Sequence, residues 1–218
     1  GCVRAVMSNA GQRFITLEGI EGVGKSTNIA FIRQWLEARG QTVTSTREPG
    51  GTPGAEAIRQ LVLATGRDEI PDTSELLLMF AARAAHLQNL VLPALAAGDF
   101  VLCDRFTDAS YAYQGYGRGL SLDMIAALEN LVQGEMRPGL TILLDGSFEL
   151  SVERRSGRTE TDRFEQERFE FFARVRAGYL AIAAAHPQRV KVIAANQPLP
   201  QVQTDIAAVL EERFPELG

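Results

Sequence analysis

With 218 residues, 45% of them hydrophobic, the chain has the length of one ordinary domain with a sizeable core. Its formal net charge of −5 excludes nucleic-acid binding as the main function, because binding a phosphate backbone needs a concentrated positive face. The only two cysteines, Cys2 and Cys103, lie too far apart for a disulfide framework or a metal cluster, and imply a reduced, cytoplasmic setting. No apolar run approaches the roughly 18 residues of a membrane span, and residues 1–12 lack the apolar stretch of a signal peptide. They read as a tail, and 13–218 as a single domain.

In chain order, "RFITLE" (13–18) predicts a first buried strand and is followed by the glycine-rich "GIEGVGKST" (19–27) and a helix over 25–39. Next come a strand "TVTST" (42–46), a second glycine-rich turn "REPGGTPG" (47–54) and helices over 54–65 and 74–97. The strand "DFVLCD" (99–104), a helix over 121–134, the strand "LTILLD" (140–145), a helix over 163–185 and the strand "RVKVIA" (189–194) complete the pattern. Such alternation predicts an α/β layered domain with parallel strands and ligands at their carboxyl ends. The segment 153–168, "ERRSGRTETDRFEQER", packs charges of both signs around Gly157 and cannot be core. It reads either as a solvated connection between helices or as a lid that closes on phosphates.

"GIEGVGKS" fits the phosphate-loop pattern of Gly, four residues, Gly, Lys, Ser, set between a strand and a helix as that motif requires. Its glycines let backbone N–H groups of Gly19, Ile20, Glu21, Gly22, Val23, Gly24 and Thr27 turn toward phosphate oxygens. Lys25 reaches the outer phosphates, and the Ser26 hydroxyl can ligate Mg²⁺. The pattern names a nucleoside triphosphate without naming a reaction. No Asn-Lys-x-Asp guanine reader occurs, which disfavours a GTPase. For a motor or partition ATPase, Asp104 or Asp145 could hold Mg²⁺ and water.

What tells against that class is Arg105, directly beyond the "FVLCD" strand, where it can clamp a second phosphate or pair with a rim carboxylate. The "PGG" turn opens on the same edge, and two glycine-rich turns at one edge suggest two substrates. Arg59, on the helix beyond that turn, can aim back at an acceptor phosphate.

Together "GIEGVGKST", "TREPGGTPG", "MFAAR", "DRFTDASYAYQGYGRG" and "DRFEQE" resemble the bacterial thymidylate kinases, from about Phe14 to the C-terminal helix. The resemblance implies a P-loop NTPase fold with a five-stranded parallel sheet in the order 2-3-1-4-5, and transfer of a phosphoryl group from ATP to thymidine monophosphate with Mg²⁺. It implies that Asp104 and Arg105 serve the acceptor phosphate and the metal, with Arg59, Glu48 and Pro49 beside them. Arg83 would read thymine, Ser110 and Gln114 would meet the base edge, Tyr113 would crowd the sugar 2′ position, and Glu21 would contact the acceptor sugar. Asn196 and Gln197 match an adenine-side loop, and a homodimer is implied.

Two departures stand out. The base-stacking position, four residues before the reader Arg, is Met79 here, with Phe80 one residue later; either can face the base. The phosphate loop carries no arginine, so the resemblance assigns the missing charge to a lid over about 153–166, with Arg158 as the phosphate contact and Arg154, Arg155 and Arg163 in support. His86, His186 and Trp35 read as core or surface, and Cys103 as a buried strand residue. The rival classes are a P-loop ATPase driving a partner protein and a kinase for nucleosides or another monophosphate.

Overall fold

The computed structural model describes residues 11–64, 69–149 and 163–218, the side chains of 163–167 excepted. Five parallel strands, β1 (Phe14–Glu18), β2 (Val43–Arg47), β3 (Phe100–Asp104), β4 (Leu140–Asp145) and β5 (Val190–Ala194), form one sheet in the order β2-β3-β1-β4-β5. Each predicted strand is found within one residue of its expected ends. β1 lies centrally and all five of its residues are buried, as parallel strands covered on both faces require. Leu17 pairs with Asp104, and Asp104 with Arg47, so the turns after β1, β3 and β2 open side by side on one sheet edge.

The connecting helices are α1 (Lys25–Glu37), α2 (Pro53–Leu63), α3 (Asp72–Ala96), α4 (Thr107–Ser110 continuing through Tyr111–Gly117), α5 (Leu122–Gln133), α6 (Arg163–Ala185) and α7 (Leu199–Arg213). Local chemistry sets several starts. Thr52 caps α2 by accepting from Ala55 N–H, with Pro53 in the first turn, and Ser121 caps α5 by accepting from Met124 N–H. The five predicted helices end within two residues of expectation.

α4 was not among them. It is rich in glycine and tyrosine, residues of modest helix propensity, and most of it winds as wide π turns. Packing overrides the propensity: a Cβ on Gly115 would lie 2.6 Å from Leu122, and one on Gly117 would lie 2.7 Å from Phe171. α3 widens in the same way over Leu87–Val91, just ahead of Pro93, which has no N–H to continue the ladder.

Ile15 and Leu17 share a core with Ile32 and Trp35 of α1, Val175 of α6 and Ile206 of α7, whereas Phe14 joins Val101, Cys103 and Leu87, Val91 and Leu95 of α3. α3 is 25 residues long, and an 18-residue stretch of it has a mean hydropathy of 1.3, enough to meet the length and apolarity of a membrane span. That apolarity serves the fold at Leu76, Phe80, Leu87, Val91 and Leu95, while Leu77 remains exposed. Of the expected tail, Gly11 and Gln12 pack on the turn before β4, where a Cβ on Gly139 would lie 2.6 Å from Gln12. Residues 1–10 and most of the expected lid, including Arg154, Arg155 and Arg158, lie outside the described residues.

Candidate active site

The turn from β1 into α1 needs glycine at three places, since Gly19, Gly22 and Gly24 have φ of 145°, 82° and 93°. A Cβ on Gly19 would also lie 2.7 Å from the Leu144 carbonyl oxygen. The backbone so freed runs into the N-terminus of α1, whose first residues are Lys25, Ser26 and Thr27. Ser26 and Thr27 are exposed there, at the positive end of the helix dipole. Lys25 Nζ donates to Asp104 Oδ1 at 3.1 Å, across the β1–β3 pairing. Burial, and then the Arg105 charge, hold the Lys25 ammonium below its usual pKa. A phosphate arriving in the loop supplies a second anionic partner to this lysine, which among the described residues is ion-paired with Asp104.

Ser26 and Asp104 make a hard-oxygen donor set, a hydroxyl and a carboxylate, that with nucleotide phosphates suits Mg²⁺. Asp145, the other carboxylate at a strand end, is instead engaged by Arg176 of α6, whose Nε and Nη2 reach its two oxygens at 2.8 and 2.9 Å. Among the described residues no group of three or more His, Cys, Asp or Glu side chains gathers into an all-protein metal cluster.

Arg105 follows directly and takes φ 66°, a left-handed conformation uncommon outside glycine. Its own N–H donates to the Leu17 carbonyl at 3.0 Å. Its guanidinium lies 5.1 Å from the Tyr113 ring centroid, and Nη2 donates to the Tyr113 hydroxyl at 3.1 Å. Nε is buried and finds no hydrogen-bond partner among the described residues. Burial pushes the Tyr113 phenol up to about 12, so at neutral pH it offers Arg105 a neutral acceptor.

Glu18, the last residue of β1, is fully buried. Oε1 accepts Phe106 N–H and Oε2 accepts the Tyr179 hydroxyl, each at 2.7 Å. Burial, with Asp108 nearby, raises its carboxyl pKa to about 8, so it is largely protonated at neutral pH.

A second constellation forms around Arg83 of α3. Glu48 accepts from Arg83 Nε at 2.6 Å and meets His86 Nδ1 at 2.7 Å, while His86 Nε2 meets Thr46 Oγ1 at 2.7 Å. Arg83 Nη1 donates to Ser110 Oγ at 3.0 Å, and its guanidinium lies 4.6 Å from the Phe80 ring centroid. Phe80 is 2% exposed between α3 and α5 beside Leu76 and Ile125, whereas Met79 is half-buried. Gln114 donates to Glu75, leaving its buried Oε1 without a hydrogen-bond partner. Arg59 Nη1 donates to the Pro49 carbonyl at 2.9 Å, so the second glycine turn and α2 hold each other.

Most of the predicted residues therefore converge: the phosphate loop, Asp104, Arg105 and Tyr113 form one end, and Glu48, Pro49, Arg59, Phe80, Arg83 and Ser110 are tied together at the other, with Gln114 on Glu75 of α3. Glu21 lies in the phosphate loop and is exposed. The adenine-side pair is divided: Asn196 is exposed after β5, but Gln197 donates to Asp205 of α7 at 2.6 Å. Sequence reasoning missed Glu18, Tyr179, Thr46 and the site role of His86. A glutamate ending an apolar strand was the available signal for Glu18, since burying a carboxyl demands partners.

The thymidylate kinase family matches residues 17–206 of the chain. A thymidylate kinase of Teredinibacter turnerae is 58% identical over 199 residues, covering 91% of this chain and 97% of that one. One from Chromohalobacter salexigens is 59% identical over 206 residues, covering 93% and 96%. Among solved structures, the crystal structure of thymidylate kinase from Ehrlichia chaffeensis is similar with a TM-score of 0.73 at 34% identity, covering 90% and 97% of the two chains. With that span matched and relatives this similar along nearly their whole length, the chain belongs to the thymidylate kinase family.

Proposed function

We propose that this chain transfers the γ-phosphoryl group of ATP to the phosphate of thymidine monophosphate, giving ADP and thymidine diphosphate for dTTP synthesis. The observation that carries this is the pairing of Leu17 with Asp104, which sets the phosphate loop beside Arg105, an arginine with no carboxylate within ion-pair distance among the described residues. Phosphoryl transfer asks little covalent chemistry of a protein and much positioning and charge stabilisation. Gly19 to Thr27 hold the ATP phosphates, with Lys25 on the transferring group. Ser26 and Asp104 would hold the Mg²⁺ carried with ATP, which would screen phosphate charge.

Arg105 and Arg59 take the acceptor phosphate, while Glu48 and Pro49 shape the turn beneath it. Arg83, Ser110 and Gln114 read the base, and Phe80, rather than Met79, stacks near it under the Arg83 guanidinium. Tyr113 selects the deoxy sugar and Glu21 contacts it; Asn196, with Gln197 in support, borders the adenine. No general base is required, because the acceptor phosphate is already anionic.

The absence of an arginine from the phosphate loop supports a lid over about 153–166, with Arg158 supplying transition-state charge and Arg154, Arg155 and Arg163 assisting. Arg158→Ala then lowers kcat by about 10²-fold or more with a smaller change in KM; unchanged turnover removes Arg158 from the mechanism. The exposed Leu77 on the long helix α3 supports a homodimer, which light scattering after size exclusion tests, and the reaction belongs in the cytoplasm. An ADP-release assay across nucleosides and monophosphates tests the main reading. Turnover restricted to thymidine monophosphate and near analogues is expected, while partner-stimulated hydrolysis with no acceptor phosphorylated overturns it.

A further inference from the structure

We propose that Glu18 and Tyr179 are positioning residues for Arg105: the Glu18 carboxyl grips the backbone beside the arginine, and Tyr179 of α6 holds that carboxyl in place. The proposal rests on reading Arg105 as the clamp on the acceptor phosphate.

Arg105 is the one non-glycine residue with positive φ among those described, at 66°. A backbone persists there only where its surroundings over-determine it. Here two consecutive amides are held by two consecutive residues of β1. Arg105 N–H donates to the Leu17 carbonyl at 3.0 Å, and Phe106 N–H donates to Glu18 Oε1 at 2.7 Å. Any residue at position 17 supplies the first acceptor, but the second needs a side chain of glutamate's length and acceptor chemistry.

The other oxygen, Oε2, accepts the Tyr179 hydroxyl at 2.7 Å, which fixes the carboxyl's orientation. Tyr179 also packs edge-on to Tyr113, centroid to centroid 6.3 Å, and the Tyr113 hydroxyl accepts from Arg105. Tyr179 thus braces both supports of the arginine, its backbone through Glu18 and its guanidinium through Tyr113. With Glu18 at 0% and Tyr179 at 3% exposure, water has little access to replace either bond.

The groups facing Glu18 are Asp108, Arg105 and Tyr113 from the β3 to α4 region, Tyr179 of α6, Lys25 of α1, Cys103 of β3 and Arg189 ahead of β5. Burial and Asp108 keep the carboxyl largely protonated at neutral pH, which removes a negative charge from beside the acceptor phosphate. Glutamine keeps that neutral shape and a carbonyl for Phe106 N–H, while its amide donates to the Tyr179 oxygen, the reverse of the bond that Glu18 Oε2 accepts.

Steady-state kinetics in thymidine monophosphate, with calorimetry for ATP and circular dichroism for folding, test this in Glu18→Ala, Glu18→Gln, Tyr179→Phe and Arg105→Ala. Glu18→Ala is expected to lose about tenfold to a hundredfold in kcat/KM for the acceptor while ATP affinity is kept, and Glu18→Gln to recover to within about threefold. In the native protein acceptor affinity falls as pH rises through about 8, and Glu18→Gln flattens that fall. Native acceptor kinetics in Glu18→Ala, or equal damage in Glu18→Gln, overturns the proposal. Should Glu18→Ala not fold, Tyr179→Phe carries the test: a rise in acceptor KM of about threefold supports the brace, and a native KM with a native pH profile overturns it. If Arg105→Ala keeps acceptor affinity, the clamp reading falls and takes the proposal with it. If Arg105→Ala is impaired while the Glu18 and Tyr179 variants behave as native, only the positioning role falls.

Discussion

Arg83 and Arg105 both lie near the phosphate-loop edge of the sheet, and the protein treats their charges in opposite ways. Arg83, 1% exposed, is matched by Glu48, and the match is continued through His86 to Thr46. Arg105 has no carboxylate within ion-pair distance among the described residues; it leans on a tyrosine hydroxyl and ring, with Nε unpartnered. A buried charge left uncompensated is costly, so the difference marks what each arginine is for. On the proposed function, Arg83, compensated by Glu48, presents N–H groups to an uncharged base without seeking an anion. On the same reading, the charge of Arg105 is kept for a phosphate, and its strained backbone adds to the cost of holding it there.

The comparison is broken or sharpened by four measurements. The largest effect is expected for Arg83→Ala, which strands Glu48 in the core. Removing one partner of a buried pair costs about 3–5 kcal/mol, read as a lower urea midpoint, and unaltered stability would show that Glu48 needs no cation. Arg105→Ala is expected to do the reverse, keeping stability while kcat/KM for the acceptor falls by about 10²-fold, or about 2.7 kcal/mol. Marked destabilisation of that variant would erase the distinction between the two arginines.

Next is a pH dependence that the Arg105 side alone should show. The Glu18 carboxyl is raised in the folded state from its ordinary 4.5 to about 8, chiefly by burial. Its contribution to stability is therefore complete below 4.5 and is lost as pH rises through about 8. For this one group the slope is at most about 1.4 kcal/mol per pH unit, and Glu18→Gln should flatten it in thermal melts. An equal slope in both proteins would place the titration elsewhere.

The smallest effect compares two substitutions at one position. Arg105→Gly should be more stable than Arg105→Ala by about 1 kcal/mol, since only glycine takes positive φ freely. Equal stabilities would mean that φ 66° carries no strain.

The two regions also differ in how far they could be read in advance. Gly19, Gly22, Gly24, Lys25 and Ser26 follow from spacing alone, because a backbone that must wrap phosphate requires glycine at fixed offsets. Arg105 was legible from its place after an apolar strand, and Arg83 only through the resemblance. The partners of both arginines were not legible. Glu48 is 35 residues from Arg83, and Tyr179 is 161 from Glu18, separations that no local pattern encodes. His86 read as core or surface and is fully buried, yet its place next to Glu48 makes it a support of Arg83. Gln197, read as an adenine neighbour, is turned in this structure to Asp205, the seventh residue of α7. α4 escaped because its own residues disfavour a helix and only its packing on Phe171 and Leu122 enforces one.

By itself, the sequence determined the strand and helix alternation, through the period of its apolar residues, and the phosphate loop, through its glycines. Those are local properties: they depend on which backbone conformations and which faces a short stretch can offer. Tertiary structure alone decided that the β1 and β3 ends would meet in register, that Glu18 would hold the amide beside Arg105, and that Glu48 would serve Arg83 and leave Arg105 unmatched. The charge state of a buried group depends on everything packed around it, and those neighbours come together only when the chain closes on itself.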